Sequence, residues 1–317
     1  MWASRVRMTL QSSNCITADF PLMVPEVSMS DSHPELAAIV LTVRPQQSAV
    51  LPVGLGRAAQ SLLLSWIRDV DPVLAQNLHD DCPVKPYTCS SLWGARSAGR
   101  GHIHVAPDQT YRLRFTSLTT ELTGRLLEFF SRPPATVELD RHPFVLENWT
   151  VDSVAEAWAG LTTFQDLAAP YLLGQEQPDR YVELEYASPT TFRSGGRNVP
   201  IPLPELAFGS LVDKWNAFSP VALSPEVRRY ASECMAVASY ELSSRAWPFK
   251  SALVVGGVGH CRYVMTVQDR YWMSVVQLLA AWAKFCGIGA QTASGLGQAR
   301  RAESKRRSPG TAAQGDG

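Results

Sequence analysis

The sequence has no surplus of charge of either sign: Lys+Arg 29 stand against Asp+Glu 29 in 317 residues. No global field therefore marks a nucleic-acid or membrane binder, and any site for a polyanion has to come from local placement. Cysteine is sparse. Cys15, Cys82, Cys89, Cys234, Cys261 and Cys286 lie far apart and form no C-x-x-C pair. This argues against a zinc ribbon or a disulfide framework, and a reducing cytoplasm is the expected home. Long apolar runs are missing as well. The longest, such as Leu36 to Val43, suit strands and fall far short of a spanning helix. Near the start, Arg5 and Arg7 are followed by no continuous apolar segment, which argues against a signal peptide.

What is present is apolar side chain in quantity. Hydrophobic residues make up 45% and charged residues 18%, enough to bury real cores and too much for a disordered chain. The length fits two domains of ordinary size. Residues 1–34 lack periodicity and are expected to be a disordered leader, with Met29 as an alternative start. From Gln298 onward Arg300, Arg301, Lys305, Arg306 and Arg307 face only Glu303 and Asp316, so 303–317 is expected to be a disordered basic tail.

Between these ends, period and punctuation predict elements. Leu36–Val43 is a strand closed by Arg44-Pro45. Leu55, Ala59, Leu62, Leu63, Trp66 and Ile67 form one stripe of an amphipathic helix that ends near Asp71-Pro72. Pro86–Trp93 and Tyr111–Thr116 are strands, the second alternating Tyr111, Leu113 and Phe115 against Arg112 and Arg114. Gly94–Asp108 connects them. A helix bearing Leu122, Leu126, Phe129 and Phe130 stops at Pro133-Pro134, and strands follow at Thr136–Leu139 and Phe144–Trp149. The order β-α-β-β-α-β is ferredoxin-like and occupies 35–150. A linker with one short helix fills 151–179.

The order then recurs over 180–302. Strands are expected at Arg180–Tyr186, Val237–Arg245, Leu253–Val255, Cys261–Val267 and Leu296–Ala299. Helices are expected through Phe208–Trp215, Pro225–Ala236 and Trp272–Ala283. The fold class is α+β, with two tandem ferredoxin-like (RRM-like) domains and a C-terminal glycine-rich loop.

Two segments can carry chemistry. In the first, His79 lies on a loop six positions before Lys85, and the run continues through Tyr87, Thr88 and Ser90. An imidazole moves protons near neutrality and a fixed ammonium stabilises charge on phosphoryl oxygens, which together suit metal-free phosphodiester cleavage. One histidine and one lysine are also ordinary surface groups, and the adjacent Asp80 and Asp81 suit solvent better than one ion. The second segment is Gly287-Ile288-Gly289 through Gly295-Leu296-Gly297. Glycines let a backbone approach a phosphate chain and offer it N–H donors. A flexible connection has the same composition. The spacing is neither a dinucleotide fingerprint nor a Walker loop, which argues against an unrelated nucleotide enzyme.

Taken together, the segments resemble the CRISPR-associated repeat-specific endoribonuclease family of the RAMP superfamily. Gly287, Gly289, Gly295 and Gly297 fall in its terminal G-x-G…G-x-G frame. Ser188-Pro189-Thr190-Thr191-Phe192-Arg193, Pro202-Leu203-Pro204 and Phe208-Gly209-Ser210-Leu211 with Trp215 look like its second domain. The resemblance spans roughly 36–302. It implies cleavage of precursor CRISPR RNA within repeats, by attack of a substrate 2′-hydroxyl and without metal or other cofactor. It leaves 2′,3′-cyclic phosphate and 5′-hydroxyl ends.

By that resemblance His79 is the general base or acid and Lys85 holds the charge of the phosphorane. Where some members carry a tyrosine on the first helix this chain has Leu64, so Tyr87, Ser65 or Ser90 is the expected substitute, and Tyr87 is chosen as the third catalytic residue. Gly287, Gly289, Gly295, Gly297, Arg193, Arg197 and Ser90 are the expected RNA contacts. Asn198, Arg96, Arg100, His102, His104 and the Arg228-Arg229 pair are further candidates. The implied partners are repeat RNA and the subunits of a CRISPR effector complex, with the chain a monomer or homodimer. The alternative is a repeat-RNA-binding subunit that does not cut.

Overall fold

The computed structural model describes residues 33–79, 84–249 and 252–302. The leader before His33, Asp80–Pro83 and the tail after Ala302 lie outside the described residues. The chain begins with β1 (Leu36–Pro45), β2 (Ala49–Pro52), α1 (Gly56–Val70), α2 (Pro72–His79), β3 (Tyr87–Cys89), β4 (Arg96–Gly99), β5 (His102–Val105) and β6 (Tyr111–Ser117). It continues with α3 (Thr120–Phe130), β7 (Thr136–Leu139), β8 (His142–Thr150), β9 (Gly160–Thr162) and α4 (Phe164–Leu172). The second half holds β10 (Tyr181–Thr190), β11 (Phe192–Ser194), β12 (Arg197–Val199), α5 (Pro204–Phe218) and α6 (Val227–Cys234). It ends with β13 (Met235–Phe249), β14 (Ala252–Met265), α7 (Arg270–Cys286) and β15 (Ala299–Arg301).

Both halves have the ferredoxin-like strand order. The first sheet runs β3-β6-β1-β8-β7 and the second β13-β14-β10-β15, all antiparallel. In each, the third strand of the unit pairs with the first, and the second and fourth lie outside. The short β9 extends the β8 side of the first sheet by pairing with Leu36–Ala38 of β1.

β1 explains how the halves join. Its continuous apolar run is buried on both faces, the condition under which strict alternation of polar and apolar is lost. Ala37, Ile39, Leu41 and Val43 enter the first core, where Trp66 packs on Phe115, Phe129 and Phe130. Leu36 and Ala38 point the other way, into the second core with Trp215 and Trp282. One strand thus serves two cores.

Several expectations are revised. Asp71-Pro72 ends α1 and also starts α2: Asp71 Oδ1 accepts from Leu74 N at 3.0 Å, and proline costs nothing at a first helical position. His79 therefore ends a helix and is not in a loop. The expected connection Gly94–Asp108 instead holds β4 and β5, which with β2 form a separate three-stranded sheet. β13 and β14 run unbroken for 15 and 14 residues, through Gly256-Gly257. Arg114, expected on the outer face of its strand, is fully buried. Among the described residues no helix is long and apolar enough to cross a membrane.

Candidate functional site

A cleft of about 520 Å³ opens between the two halves. Gln60 of α1, Val84 and Lys85 form one wall. Phe192 and Arg193 of β11, Ser210, Asp213 and Lys214 of α5, and Arg228 of α6 form the other. Gly289 to Ser294 of the glycine-rich turn close it at one end. Among the described residues, four cationic ones, Lys85, Arg193, Lys214 and Arg228, thus line the cleft beside one carboxylate, Asp213, which pairs with Arg228 at 2.7 Å.

His79 and Lys85 are brought together by the end of α2. His79 is exposed at the last position of that helix. The Lys85 ammonium donates to the carbonyl of Leu78 at 2.9 Å and to that of His79 at 3.4 Å. The end of a helix presents unpaired carbonyls and a partial negative charge, so a cation settles there. This contact fixes where Lys85 sits, in the cleft wall facing the turn.

Tyr87 does not join them. Its ring is buried, and its hydroxyl accepts from Gln60 Nε2 at 3.0 Å. Burial pushes the phenol up to about 12, against a smaller downward pull from the Gln60 hydrogen bond. This corrects the expectation of a proton carrier in the cleft. Ser90 is corrected too: it is fully buried, its hydroxyl accepts from Arg114 N at 2.8 Å, and its backbone bridges Gly295. Ser90 joins the halves and does not touch solvent. Leu64 is buried, and Ser65 donates to Leu62 O of its own helix.

The glycines have a different role from the one expected. Gly287, Gly289, Gly295 and Gly297 have φ of 63°, 78°, 100° and 64°. At Gly297 a Cβ would lie 2.2 Å from Ile288 O, and at Gly287 it would lie 2.6 Å from Gly297 O. The N–H groups of Gly287, Gly289 and Gly297 are already given to Ala283 O, Ser210 Oγ and Pro189 O. The glycines therefore let the turn fold on itself and against Gly56 of α1, where an added Cβ would meet Ser294 O at 2.2 Å. Gly287, Gly295 and Gly297 are buried, Gly289 reaches the cleft, and Gln291 is the exposed residue at the crest.

Sequence reasoning missed what supports that turn. The buried Lys214 ammonium donates to the carbonyls of Cys286 and Gly287 at 3.1 Å and of Gly289 at 3.3 Å. Burial pulls its pKa down. The signal was available: Ala207, Leu211 and Lys214 are spaced i, i+4, i+7, so a lysine occupies a core-facing position of α5. Gln60 was also missed. Its Nε2 holds Tyr87 while its Oε1 accepts from Ser294 Oγ at 3.1 Å, tying the first half to the turn.

Arg193 and Arg197 are exposed on the β11–β12 hairpin, whose Gly195-Gly196 turn has φ of 55° and 73°. Arg193 lines the cleft. Behind the turn, Arg114 closes the seam. It donates to Trp158 O at 2.9 Å, to Gln298 Oε1 at 2.8 Å and to Lys284 O, and stacks over Trp158. Among the described residues no three His, Cys, Asp or Glu side chains converge on a possible metal site.

Two ferredoxin-like units joined through a buried seam, with a cationic cleft under a glycine-built turn, define the tandem ferredoxin-like class. The family model for the CRISPR-associated endoribonuclease Cas6 matches residues 184–299. The chain is 25% identical to Cas6 of Thermus thermophilus over 86% of this chain and 100% of that one, with a TM-score of 0.65. The product complex of that protein matches at 0.69, with 25% identity over 84% and 99% of the two chains. A second Cas6 product complex gives 0.67 at 27% identity over 84% and 99%. A Cas6-related protein of Pyrococcus furiosus, 12% identical, shares the fold at 0.56. No curated protein matches in sequence. The second half of the chain thus matches the family model of the CRISPR-associated endoribonucleases, and the whole chain is similar in fold to their solved members.

Proposed function

We propose that this protein cuts precursor CRISPR RNA within its repeats, without a metal, by general acid–base transesterification. The substrate 2′-hydroxyl oxygen attacks the adjacent phosphorus and the bond to O5′ breaks. A 2′,3′-cyclic phosphate and a 5′-hydroxyl result. One proton leaves the 2′-hydroxyl and one is added to the departing O5′. His79 carries one of these transfers, and the Lys85 ammonium stabilises the charge on the phosphoryl oxygens. RNA lies in the cleft between the halves, its phosphates near Lys85, Arg193 and Arg228.

One observation carries this reading: Lys85, held on the carbonyls of Leu78 and His79, lines the same cleft as Gly289 to Ser294. The ammonium thereby shares a cleft with the turn, and the exposed His79 adjoins it in the chain through its own carbonyl. The solved Cas6 relatives captured with product are in keeping with it.

A second reading is a repeat-RNA-binding subunit of a CRISPR effector complex that does not cut. Leu64 and the buried Tyr87 favour it, because neither supplies the second proton transfer. Incubation with repeat RNA in EDTA, beside His79→Ala, separates the two. The parent is expected to make a single cut, and the variant to lose roughly 10²–10⁴-fold in rate with RNA affinity kept. A 2′-deoxy substitution at the cut position should block cleavage and spare binding. Tight binding without cleavage by the parent would select the second reading. Equal rates in parent and variant would remove His79 from the chemistry.

A further inference from the structure

The strands β2, β4 and β5 have no counterpart in the βαββαβ order. They enter between β1 and α1 and between β3 and β6, and pair as a flap with β5 in the middle. The two faces of the flap differ. Leu51, Ile103 and Val105 are buried in the first core, whereas Val50, Arg96, His102 and His104 are exposed. The register sets Arg96, His104 and Val50 in one row across the flap, and His102 opposite Pro52.

The exposed face is cationic by selection of residue type. No Asp or Glu occurs between Asp81 and Asp108, and none between Glu35 and Asp69. Arg44, Arg112, Arg125, Arg228 and Arg300 are each paired with a carboxylate. Among the described residues, Arg96, Arg100, His102 and His104 take part in no such pair. Two arginines outside any ion pair, on a face that the βαββαβ order does not require and beside two histidines, suit a polyanion.

The tip adds a second observation. Gly99, Arg100 and Gly101 have φ of 81°, 48° and 77°. A Cβ on either glycine would meet nothing within 4 Å, so the glycines serve the turn and not close packing. Between them an arginine is held left-handed, at a cost of about 1 kcal/mol that glycine would avoid. Arg100 is thus an exposed residue of the hairpin turn. The tip is anchored: Val53 N donates to Gly101 O at 2.9 Å, and Ser91 Oγ donates to Val53 O at 2.8 Å while accepting from Leu55 N at 3.0 Å. The same segment leads into Gly56, against which the glycine-rich turn packs.

We propose that this flap is a second RNA-binding surface, which grips phosphates of the bound RNA away from the cut and reads no base. Arg96 and Arg100 make the ionic contacts, with His102 and His104 beside them as hydrogen-bonding partners. The inference rests on the RNA-cutting reading above for the identity of the polyanion, but its test is a binding measurement and does not need cleavage.

Arg96 and Arg100 are replaced together by glutamine. Arg132→Gln with Arg141→Gln, both exposed, removes the same charge elsewhere. Each protein is titrated over a salt series with a synthetic RNA hairpin carrying a single-stranded uridine flank. The flap variant should bind about 10-fold more weakly at low salt, and its log–log salt slope should fall by about 1.5, the share of two phosphate contacts. The control should stay within about twofold of the parent. Equal losses in flap variant and control would make the effect one of bulk charge and overturn the proposal. An unaltered titration would overturn it too and leave the face to a protein partner.

Discussion

The Lys214 ammonium lies 3.1 Å from the carbonyl of Gly287, and within 3.3 Å of those of Cys286 and Gly289. A cation on α5 thus ends α7 and carries the turn that closes the cleft. Its substitution by methionine keeps length and removes the donor, so three buried carbonyls lose a partner at about 1–3 kcal/mol for each left unsatisfied. Relief from burying a charge offsets part of that, and a net loss of about 2 kcal/mol is expected for Lys214→Met. The functional loss should be larger than the stability loss suggests. With the turn unsupported, RNA affinity should drop about 10-fold while the far-ultraviolet circular dichroism is kept, a free-energy change of about 1.4 kcal/mol. Denaturant titration and RNA binding on the same preparation test it; unchanged affinity would detach the turn from RNA binding.

Glycine at two kinds of position should respond in two ways. Gly297 and Gly195 have nearly the same φ, 64° and 55°. A Cβ on Gly297 meets Ile288 O at 2.2 Å, whereas one on Gly195 meets nothing within 4 Å. Gly195→Ala should cost about 1 kcal/mol, the strain of a left-handed alanine alone. Gly297→Ala adds a backbone collision in a packed turn, and a loss of about 3 kcal/mol or more is expected. Comparison of denaturation midpoints decides this. Equal shifts would show that the turn yields, and that its glycines serve conformation only.

The fold was legible where period and punctuation agree. The stripe of α1, the Phe208–Trp215 segment of α5 and the run of β1 each predict their element, and the strand order of both sheets follows from the βαββαβ sequence. Three features were hidden for physical reasons. Asp71-Pro72 is at once a stop and a start, so the sequence signal for the end of α1 concealed α2 and placed His79 in a loop. β4 and β5 are four residues each, and Gly99 and Gly101 at their turn look like connection. Arg114 sits in a strand that alternates on paper, and only the second half of the chain, arriving at Gln298 and Lys284, makes its face interior.

The candidate site was legible in residue type more than in role. The glycine frame was visible because it is a spacing, but what the glycines do depends on carbonyls that approach from Pro189 and Gly297. Tyr87 looks like a proton carrier in a sequence and is a buried anchor for Gln60 in the fold. Gln60 had no signal, because an amide on the outer side of a helical stripe is ordinary until Ser294 meets it.

The seam should make stability depend on pH in an unusual direction. Lys284 has its pKa lowered to about 8 from 10.5, first by burial and then by the nearby charges of Arg114 and Arg300, with Glu156 acting the other way. Below about 8 the lysine is charged in both the folded and the unfolded chain, and the cost of holding the ammonium at the seam is present in full. Between about 8 and 10.5 the unfolded chain binds the proton and the folded one does not. Stability from this group therefore rises with pH across that window. Lys284→Met lacks the titration. Its melting temperature relative to the parent should be highest near neutrality and should decline steadily as pH passes from about 8 toward 10.5. Paired thermal melts at several pH values measure the difference directly. A difference that stays flat through the window would mean that the ammonium is solvated or paired well enough to keep its ordinary proton affinity, and that the positive charges of Arg114 and Arg300 do not reach it.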